Sequence, residues 1–407
     1  MGALENKRWF TLVLLSSICV TYYGENFLKT AASALSPVLI NELGINKGTM
    51  GLMITAFFII YGLMQIPAGM FTDMFGPRKT ILGFTALTLI GVFLFWLSFR
   101  YEMLVLAQMI MGIGCSVFYI NAISLITNWF PVERKATAIG ILSAVSGLGN
   151  FTSYMGFPLA DTMFGGWRNL YIVVALILLV NYAMNVLILK DSPNGSLVEK
   201  KFSINLLKSL SDVLRDRRIY PFIIGYMLLS FGWVLSTWMP QFLMETKNFT
   251  YVEAGLVASV GTIAGIPGCI TMGVVSDRLR KRKLPLMIFS SLYTVALTTF
   301  IFAPGSFPLA LFAALSFSIS FCASMWVLFF SMVPEVLPSG KASIGLGLVN
   351  GLGTIGFSII TPFYGGLIDS TGNFYASNLV IIATSLIMTA TMVLFTKETY
   401  GGLNKTN

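Results

Sequence analysis

Charged residues are scarce in this sequence, and histidine is missing altogether. Asp, Glu, Lys and Arg make up 11% of the 407 residues, whereas a soluble domain carries roughly 25%. The composition therefore excludes an ordinary soluble protein. Because histidine is the commonest metal ligand and the usual proton carrier near neutral pH, its absence leaves carboxyl groups as the candidates for any proton chemistry.

Cysteine is also rare, and no motif for a cofactor is present. Cys19, Cys115, Cys269 and Cys322 lie singly inside apolar stretches, unlike the cysteines of a disulfide framework or a paired metal motif. A phosphate-cradling GxxxxGK[ST] loop is absent as well, so nucleotide hydrolysis is not the expected energy source. We expect no metal, no cofactor and no covalent chemistry, and hence not an enzyme.

Long apolar runs fill most of the chain, from Trp9 to Phe395. Each run is about 20 residues long, enough to cross a hydrocarbon core of about 30 Å as a helix. We therefore predict an all-α membrane protein with twelve transmembrane helices in a lipid bilayer. The predicted spans cover residues 9 to 39, 48 to 71, 79 to 98, 103 to 130, 136 to 160, 169 to 189, 219 to 244, 251 to 275, 284 to 303, 307 to 333, 342 to 366 and 375 to 396.

The basic residues lie mainly on one side of these spans. Of the 26 Lys and Arg residues, 21 fall in the termini and alternate loops on one side, and Lys29 lies within a span. The loops on the other side hold only Lys47, Arg100, Arg168 and Lys247. The positive-inside rule then predicts that both termini are cytoplasmic, in a plasma (inner) membrane. The net charge of +9 is thus a topology signal, and we expect no nucleic-acid partner.

The longest connection separates six spans from six. We predict an N-terminal six-helix bundle over residues 1–190, a cytoplasmic linker over 191–218 and a C-terminal six-helix bundle over 219–407. Apolar residues recur at helical spacing in the linker, which is typical of an amphipathic helix on a membrane surface; a solvated tether is the alternative. These apolar residues are Phe202, Leu206, Leu207, Leu210, Val213 and Leu214.

The two halves resemble repeats of each other. Asp73 and Asp277 each follow the second span of their half, 204 residues apart, in similar sequences. Lys135 and Lys341 begin a second pair of similar segments at nearly the same displacement. An even number of spans between the copies makes the repeats parallel, as in two-halved transporters.

The loop after the second span, Gly69-x-x-x-Asp73-x-x-Gly76-x-Arg78-Lys79, resembles the signature loop of the major facilitator superfamily. The resemblance covers essentially the whole chain and implies two pseudo-symmetric six-helix bundles that expose a central site alternately to each side. We expect Asp73 to face the start of helix 11 near Lys341, and Asp277 to face the start of helix 5 near Lys135, as a conformational latch. The alternative is that these loops only anchor charge at the membrane. The predicted latch comprises Gly69, Asp73, Gly76, Arg78, Asp277, Arg134, Lys135 and Lys341.

Two ionisable residues lie deep inside a predicted span. Glu25 and Lys29 are four residues apart in helix 1, so they share one helix face. An uncompensated charge at such a depth costs roughly 3 kcal/mol on insertion scales. One interpretation is that Lys29 binds an anionic substrate while Glu25 balances its charge and exchanges a proton. The other is a closed salt bridge that positions helix 1.

The segment from Tyr22 to Lys29 resembles helix 1 of two branches of the superfamily, the anion:cation symporters and the organophosphate:phosphate antiporters. Lys29 lies eight residues before Pro37. This resemblance implies that Lys29 anchors the substrate. Where sugar-phosphate exchangers usually place a second basic residue, this chain has Gly232, which favours a carboxylate over a sugar phosphate. Symporters of this kind often have an acidic residue in helix 4, where this chain has Cys115. Proton coupling would therefore depend on Glu25.

Polar and aromatic residues on helices 1, 4, 5, 7, 10 and 11 complete the predicted cavity, although each is as typical of packing as of binding. With Glu25 and Lys29, the predicted substrate-binding residues are Tyr22, Tyr23, Asn26, Tyr119, Asn121, Asn150, Trp233, Gln241, Trp326 and Asn350.

The sequence thus predicts a monomeric secondary active transporter for a small organic anion, of carboxylate type, with protons as a candidate coupling partner. Three alternatives remain open. One is a transporter of amino acids or other zwitterions, and another is a proton-driven exporter of drugs or cations. The third is a non-transporting receptor on the carrier fold.

Overall fold

The computed structural model describes residues 2–163, 165–192, 211–337 and 341–400, without the side chains of residues 2–8, 65, 66, 69, 73, 132, 133, 136, 161, 162 and 343. In these ranges every regular element is a helix and no strand occurs. The predicted all-α architecture is confirmed.

Within the described residues, seven helices occupy the first half of the chain. They are α1 (Gly2–Ala34), α2 (Ser36–Leu43), α3 (Lys47–Leu97), α4 (Tyr101–Cys115), α5 (Phe118–Trp129), α6 (Val132–Met163) and α7 (Trp167–Ile188). The long α3 is two helices joined at Gly76, whose φ of 78° and ψ of 159° are not helical. Glycine tolerates this conformation because it has no Cβ, and Pro77 then begins the second part of α3.

The second half repeats this pattern after a 3₁₀ turn at Arg217–Ile219. Its helices are α8 (Tyr220–Lys247), α9 (Tyr251–Leu279), α10 (Lys283–Phe302), α11 (Leu309–Ala323), α12 (Trp326–Val336), α13 (Ala342–Thr371) and α14 (Tyr375–Phe395). A capping box of Thr250 and Glu253 begins α9, which satisfies backbone N–H groups that would otherwise lack partners.

Ten segments within the described ranges are long and apolar enough to cross a membrane. The remaining crossings correspond to α1 and α6, which have 33 and 32 residues and are therefore about 50 Å long. Glu25, Asn26 and Lys29 lower the hydropathy of α1, and many Gly, Ser and Thr residues lower that of α6. These helices account for the twelve predicted crossings of an integral, multi-pass membrane protein.

The chain divides into two compact units. Unit 1 comprises Met1–Gly44 and Met53–Lys201, and unit 2 comprises Ile45–Leu52 and Phe202–Asn407. The division at Lys201 falls in the predicted linker, whereas the assignment of residues 45–52 to unit 2 was not expected from the sequence. Most of the predicted amphipathic linker helix, residues 202–210, lies outside the described residues. Residues 211–214 are helical, with Val213 buried and Leu214 exposed.

The core of unit 1 forms where α1 packs against α5, α6 and α7. Leu14 and Ile18 of α1 contact a buried cluster that includes Phe118, Leu125 and Leu142. A side chain at Gly149 of α6 would overlap the backbone of α1, so this glycine permits the close approach of two helices that small residues provide in membranes.

A buried polar quartet joins α1 to α7. Ser17 Oγ donates to Asn185 Oδ1 at 2.8 Å, and the amide nitrogens of Asn181 and Asn185 donate to Thr21 Oγ1 at 2.7 and 2.9 Å. All four side chains are at most 5% exposed. In lipid, such hydrogen bonds between helices fix their register.

Both halves use an acid after their last helix to cap the third crossing of the half. Asp191 Oδ1 accepts from the backbone N–H of Arg78 at 2.7 Å. In unit 2, Glu398 Oε1 accepts from the N–H of Arg282 at 2.7 Å, and its Oε2 accepts from that of Lys283 at 3.2 Å. An anion at a helix N-terminus is stabilised by the unpaired N–H groups and the helix dipole.

Candidate functional site

The centre of α1 carries the two intramembrane charges predicted from the sequence. Glu25 is 4% exposed, and Lys29 is half-buried one helical turn later. Among the described residues, no carboxylate oxygen, of Glu25 or of any other acid, lies within 4.0 Å of the ammonium nitrogen of Lys29. The geometry therefore differs from the closed salt bridge that was one of the two interpretations.

Two aromatic rings of α3 contact the ammonium group of Lys29 instead. Lys29 Nζ lies 5.0 Å from the ring centroid of Tyr61 and 5.7 Å from that of Phe58. A cation over an aromatic face is attracted by about 0.5–2 kcal/mol, depending on its desolvation. These rings orient the ammonium without neutralising its charge. The sequence did not single out either ring, because aromatic residues are common throughout the chain.

Glu25 is buried one helical turn before Lys29. Its Oε1 atom is buried and has no hydrogen-bond partner among the described residues. The thiol of Cys115, which is 5% exposed, lies within electrostatic reach of both Glu25 and Lys29. The hydroxyl of Thr88 is 3.9 Å from that thiol. An acid, a cation, a thiol and a hydroxyl thus converge between α1, α3 and α4.

Tyr22 and Tyr119 form an aromatic wall beside these groups. The ring of Tyr22 stacks on Tyr119 with centroids 5.5 Å apart and on Phe118 at 5.9 Å. Asn26 is 8% exposed, and its side-chain nitrogen donates to the backbone oxygen of Tyr22 at 2.8 Å. The structure therefore brings Tyr22, Tyr119 and Asn26 together near the charged pair.

Three other predicted residues of unit 1 serve different contacts. Tyr23 lies on the opposite face of α1 from Glu25 because two helical positions turn by about 200°, and its hydroxyl hydrogen-bonds Thr152 of α6 at 2.7 Å. Asn121 is fully buried and donates to the backbone oxygen of Val117 at 2.7 Å. Asn150 is half-buried, and its Oδ1 has no partner among the described residues. Tyr23 therefore points away from the charged pair, whereas Asn121 stays a prediction, with its Oδ1 buried and without a hydrogen-bond partner among the described residues.

Unit 2 contains a separate aromatic cluster. Trp233 packs edge-on against Tyr226 with centroids 5.8 Å apart, and the hydroxyl of Tyr226 donates to Asn350 Oδ1 at 3.4 Å. Phe330 contacts both Tyr226 at 5.4 Å and Trp326 at 5.6 Å. The structure thus joins the predicted residues Trp233, Trp326 and Asn350 through two residues that the sequence did not indicate.

Gln241 does not join that cluster. It is 8% exposed and donates from Nε2 to Glu245 Oε1, one turn later in α8. Glu245 in turn pairs with Lys47 at 3.1 Å. Gln241 therefore belongs to a polar contact at the end of α8, away from the aromatic cluster around Tyr226.

The predicted latch residues have local partners. Arg78 Nη2 donates to the backbone oxygen of Val186 at 3.0 Å, Asp277 pairs with Arg282 at 2.7 Å, and Lys341 pairs with Asp212 at 3.5 Å. These are contacts within each unit, and the predicted contacts of Asp73 with the region of Lys341 and of Asp277 with the region of Lys135 stay predictions. The side chain of Asp73 and the surroundings of Gly69 lie outside the part of the structure that is described. Arg134 is exposed and Lys135 half-buried at the start of α6.

Arg282 is the centre of a charged cluster that the sequence did not indicate. Its guanidinium group also pairs with Glu335 at 3.1 Å and lies over the ring of Tyr400 at 4.9 Å. Burial acts against ionisation of Glu398, but hydrogen bonds from the backbone N–H groups of four residues lower the pKa of this carboxyl group below its ordinary value. The segment after α14, residues 396–400, is thereby fixed to the start of α10.

Known proteins resemble this chain along most of its length. The probable sulfoacetate transporter of Cupriavidus necator is 25% identical over 386 residues, covering 89% of this chain and 88% of that protein. The probable galactarate/D-glucarate transporter of Escherichia coli (strain K12) is 24% identical, covering 96% and 94%. A quinolone resistance transporter of Acinetobacter baumannii is 24% identical, covering 91% and 90%. A family model for the Major Facilitator Superfamily matches residues 14–361, and the chain belongs to this superfamily.

Proposed function

We propose that this protein is a secondary active transporter of a small organic anion and that Lys29 is the residue that binds the anion. The observation that carries the proposal is the geometry of Lys29. Its ammonium lies on the rings of Tyr61 and Phe58, with no carboxylate of the described chain in ion-pair distance. An unneutralised cation at this depth is costly, and an anionic substrate would supply the missing charge.

A carboxylate or a similar compact acid suits this site better than a sugar phosphate. Glu25 and Lys29 are the only ionisable residues well inside the predicted spans, so a single cation would balance the substrate. Relatives named as transporters of sulfoacetate and of galactarate or glucarate support an organic acid. A zwitterion remains the nearest alternative, because Glu25 would meet its ammonium group while Lys29 meets its carboxylate.

Glu25 is the candidate coupling residue. One oxygen of its carboxyl group, Oε1, is buried and has no hydrogen-bond partner among the described residues, and a buried ionised carboxyl group without compensating contacts is costly. Movement of water or substrate into the site would favour its ionisation and the release of a proton. This coupling would link substrate movement to the proton gradient without any covalent step.

The rest of the cycle follows from two halves that rearrange about a site near the membrane midplane. The distribution of Lys and Arg supports cytoplasmic termini, and we propose a monomer in the plasma (inner) membrane. The partners are then the bilayer, the organic anion and protons.

A thermal-shift screen of the detergent-purified protein identifies the substrate class. The panel should hold sulfoacetate, glucarate, monocarboxylates, amino acids and sugar phosphates. We expect stabilisation by organic acids and no response to sugar phosphates. Stabilisation by sugar phosphates alone would contradict the proposal.

Proteoliposomes then test Lys29 with the acid that gives the largest shift. We expect Lys29→Ala to lower kcat/KM at least tenfold, equivalent to about 1.4 kcal/mol of lost binding. Lys29→Arg keeps the charge and should retain part of the activity. Lys281→Ala, which removes an exposed lysine of unit 2, is the matched control. Unchanged kinetics in Lys29→Ala would refute the assignment.

An exporter of drugs or cations is the second candidate function, favoured by the similarity to the quinolone resistance transporter. In that case Glu25 would bind the cation. Cells that express the protein would accumulate less of a lipophilic cation, and Glu25→Gln would abolish the difference. Equal accumulation with and without expression rules out this candidate. Stabilisation by an acid without flux in vesicles would instead indicate a receptor.

A further inference from the structure

A groove between α1 and α7 opens at the surface of unit 1. Its volume is about 740 Å³, and apolar side chains form most of its walls. In an integral membrane protein, exposed apolar side chains of this kind face the hydrocarbon of the bilayer. Leu12 is 54% exposed and Val180 is 62% exposed. The residues that line the groove include Leu12, Val13 and Val20 of α1 and Ile177, Val180 and Met184 of α7.

The groove is separate from the site of Glu25 and Lys29. Val13, Ser16 and Val20 line the groove, and their spacing of three and four residues places them on one face of α1. Glu25 comes five positions after Val20, and five helical positions turn by about 140°. The groove therefore lies on another side of α1, where its occupant would not compete with an anion at Lys29.

The length of the groove matches one leaflet of a bilayer. From Trp9 to Val20, α1 rises by about 17 Å, which is roughly half of a hydrocarbon core of about 30 Å. Trp9 lines the end nearest the N-terminus and is 73% exposed, and tryptophan is enriched where a membrane meets water. At the other end, a cavity of about 220 Å³ shares Val20 and Ile177 with the groove. This shape suits one extended hydrocarbon chain that begins near Trp9.

A cation lies beside the end of the groove that holds Trp9. Lys190 follows the end of α7 by two residues, and its ammonium is 5.6 Å from the ring centroid of Phe10, the residue after Trp9. The side chain of Lys190 is exposed. Its backbone oxygen accepts from Trp129 Nε1 at 2.8 Å. The segment that carries the cation is therefore attached to unit 1.

This cation has no acidic partner in the described part of the chain. No described carboxylate oxygen lies within 4.0 Å of the ammonium nitrogen of Lys190. The neighbouring Asp191 directs its Oδ1 to a backbone N–H of α3 at 2.7 Å instead. Lys and Arg residues near a membrane surface attract anionic lipids. The charge beside the groove thus complements a negatively charged headgroup.

We propose that this groove binds one acyl chain of an anionic phospholipid, with the phosphate of the headgroup at Lys190. The apolar walls and the length of the groove select a lipid chain, and the cation selects a headgroup of net negative charge. Ser17 and Asn181 also line the groove, so the chain would cover the hydrogen bonds by which they join α1 to α7. The inference goes beyond the proposed function, because it assigns a second ligand to a different side of α1.

Native mass spectrometry of the full-length, delipidated protein in detergent tests the site. Dioleoyl phosphatidylglycerol is the anionic probe, and dioleoyl phosphatidylcholine has the same chains without the net charge. We expect one molecule of the anionic lipid to bind at least fivefold more tightly than phosphatidylcholine. Val180→Trp places an indole ring in the groove and should weaken binding of the anionic lipid at least fivefold. Lys190→Gln should reduce the difference between the two lipids to less than twofold.

Two control variants keep the groove and its cation. Leu179→Trp changes the adjacent residue of α7, which is 41% exposed and is not among the residues that line the groove. Lys281→Gln removes an exposed lysine of unit 2. Both should bind phosphatidylglycerol within twofold of the unaltered protein. Melting temperatures measured without lipid show whether each variant is folded.

Three results would overturn the proposal. Unchanged binding in folded Val180→Trp would show that the lipid does not occupy the groove. Equal binding of the two lipids by the unaltered protein, or an unchanged preference in Lys190→Gln, would refute the anionic headgroup at Lys190. A dimer that Val180→Trp converts to a monomer would show that a second copy of the chain covers the groove instead.

Discussion

The hydroxyl group of Tyr293 occupies the space that a side chain at Gly232 would need. A Cβ built at Gly232 overlaps the oxygen of Tyr293, which is buried and has no hydrogen-bond partner among the described residues. Residue 232 is the position at which a resemblance to sugar-phosphate exchangers would predict a second basic substrate anchor. A side chain at residue 232 would therefore have to displace the ring of Tyr293 in α10, which opposes a basic residue at this position.

Gly232→Ala should consequently lower the stability of the protein. Forcing a methyl group into a packed site costs about 1–3 kcal/mol, whereas Tyr293→Phe should be nearly neutral because it removes a buried hydroxyl that lacks a partner. The double variant should recover part of the loss, since the two residues touch. Thermal unfolding in detergent measures all three variants. Losses that simply add would show that the two side chains do not compete for the space.

The hydrogen-bonded quartet between α1 and α7 gives a second prediction. Asn185→Ala leaves Ser17 and Thr21 with fewer partners in a site where both are buried. We expect a loss of about 1–2 kcal/mol in unfolding free energy. Ser16→Ala, at the exposed neighbouring position, is the control and should change little. Equal stability of Asn185→Ala and the control would mean that the quartet does not contribute.

The cap formed by Glu398 should make stability depend on pH. Because the pKa of this carboxyl group is lower in the folded protein than its ordinary value, its contribution is present above the ordinary pKa of Glu and is lost as the pH falls through the lowered value. Glu398→Gln should reduce stability at neutral pH by about 1 kcal/mol, as expected for loss of a helix cap. It should also flatten the fall in stability between neutral and acidic pH. Melting curves at several pH values test this, and parallel curves for the two proteins would contradict it.

The sequence predicted those parts of the site that depend on a single segment. Glu25 and Lys29 stood out because charges are rare inside apolar runs, and their spacing placed them on one helix face. The capping acids Asp191 and Glu398 did not stand out, since each lies among other charged residues near a membrane surface and acts on a segment far away in the chain.

The contacts of Lys47 show the same limit. From the sequence, Lys47 was one of four basic residues in loops opposite the basic side, with no indication of its partners. Its ion pair with Glu245 and the cap from Asp369 depend on which helix ends meet in space. Gln241 was predicted to line the cavity because it is polar within an apolar helix, yet its partner is Glu245, one turn away. Periodicity fixes the face of a helix but not which neighbour that face meets.

The rings that contact Lys29 provide the last prediction. Tyr61→Leu removes one of the two aromatic faces near the ammonium. The variant should lose about 0.5–1 kcal/mol of the cation–π attraction that orients Lys29. The apparent KM for the organic acid identified by the thermal-shift screen should rise about two- to fivefold, with a smaller change in kcat. Tyr61→Phe retains the ring and should behave like the unaltered protein, which separates the ring from the hydroxyl. An equal rise of KM in both variants would assign the effect to the hydroxyl group. An unchanged KM in Tyr61→Leu would show that the ring of Tyr61 does not contribute to substrate binding by Lys29.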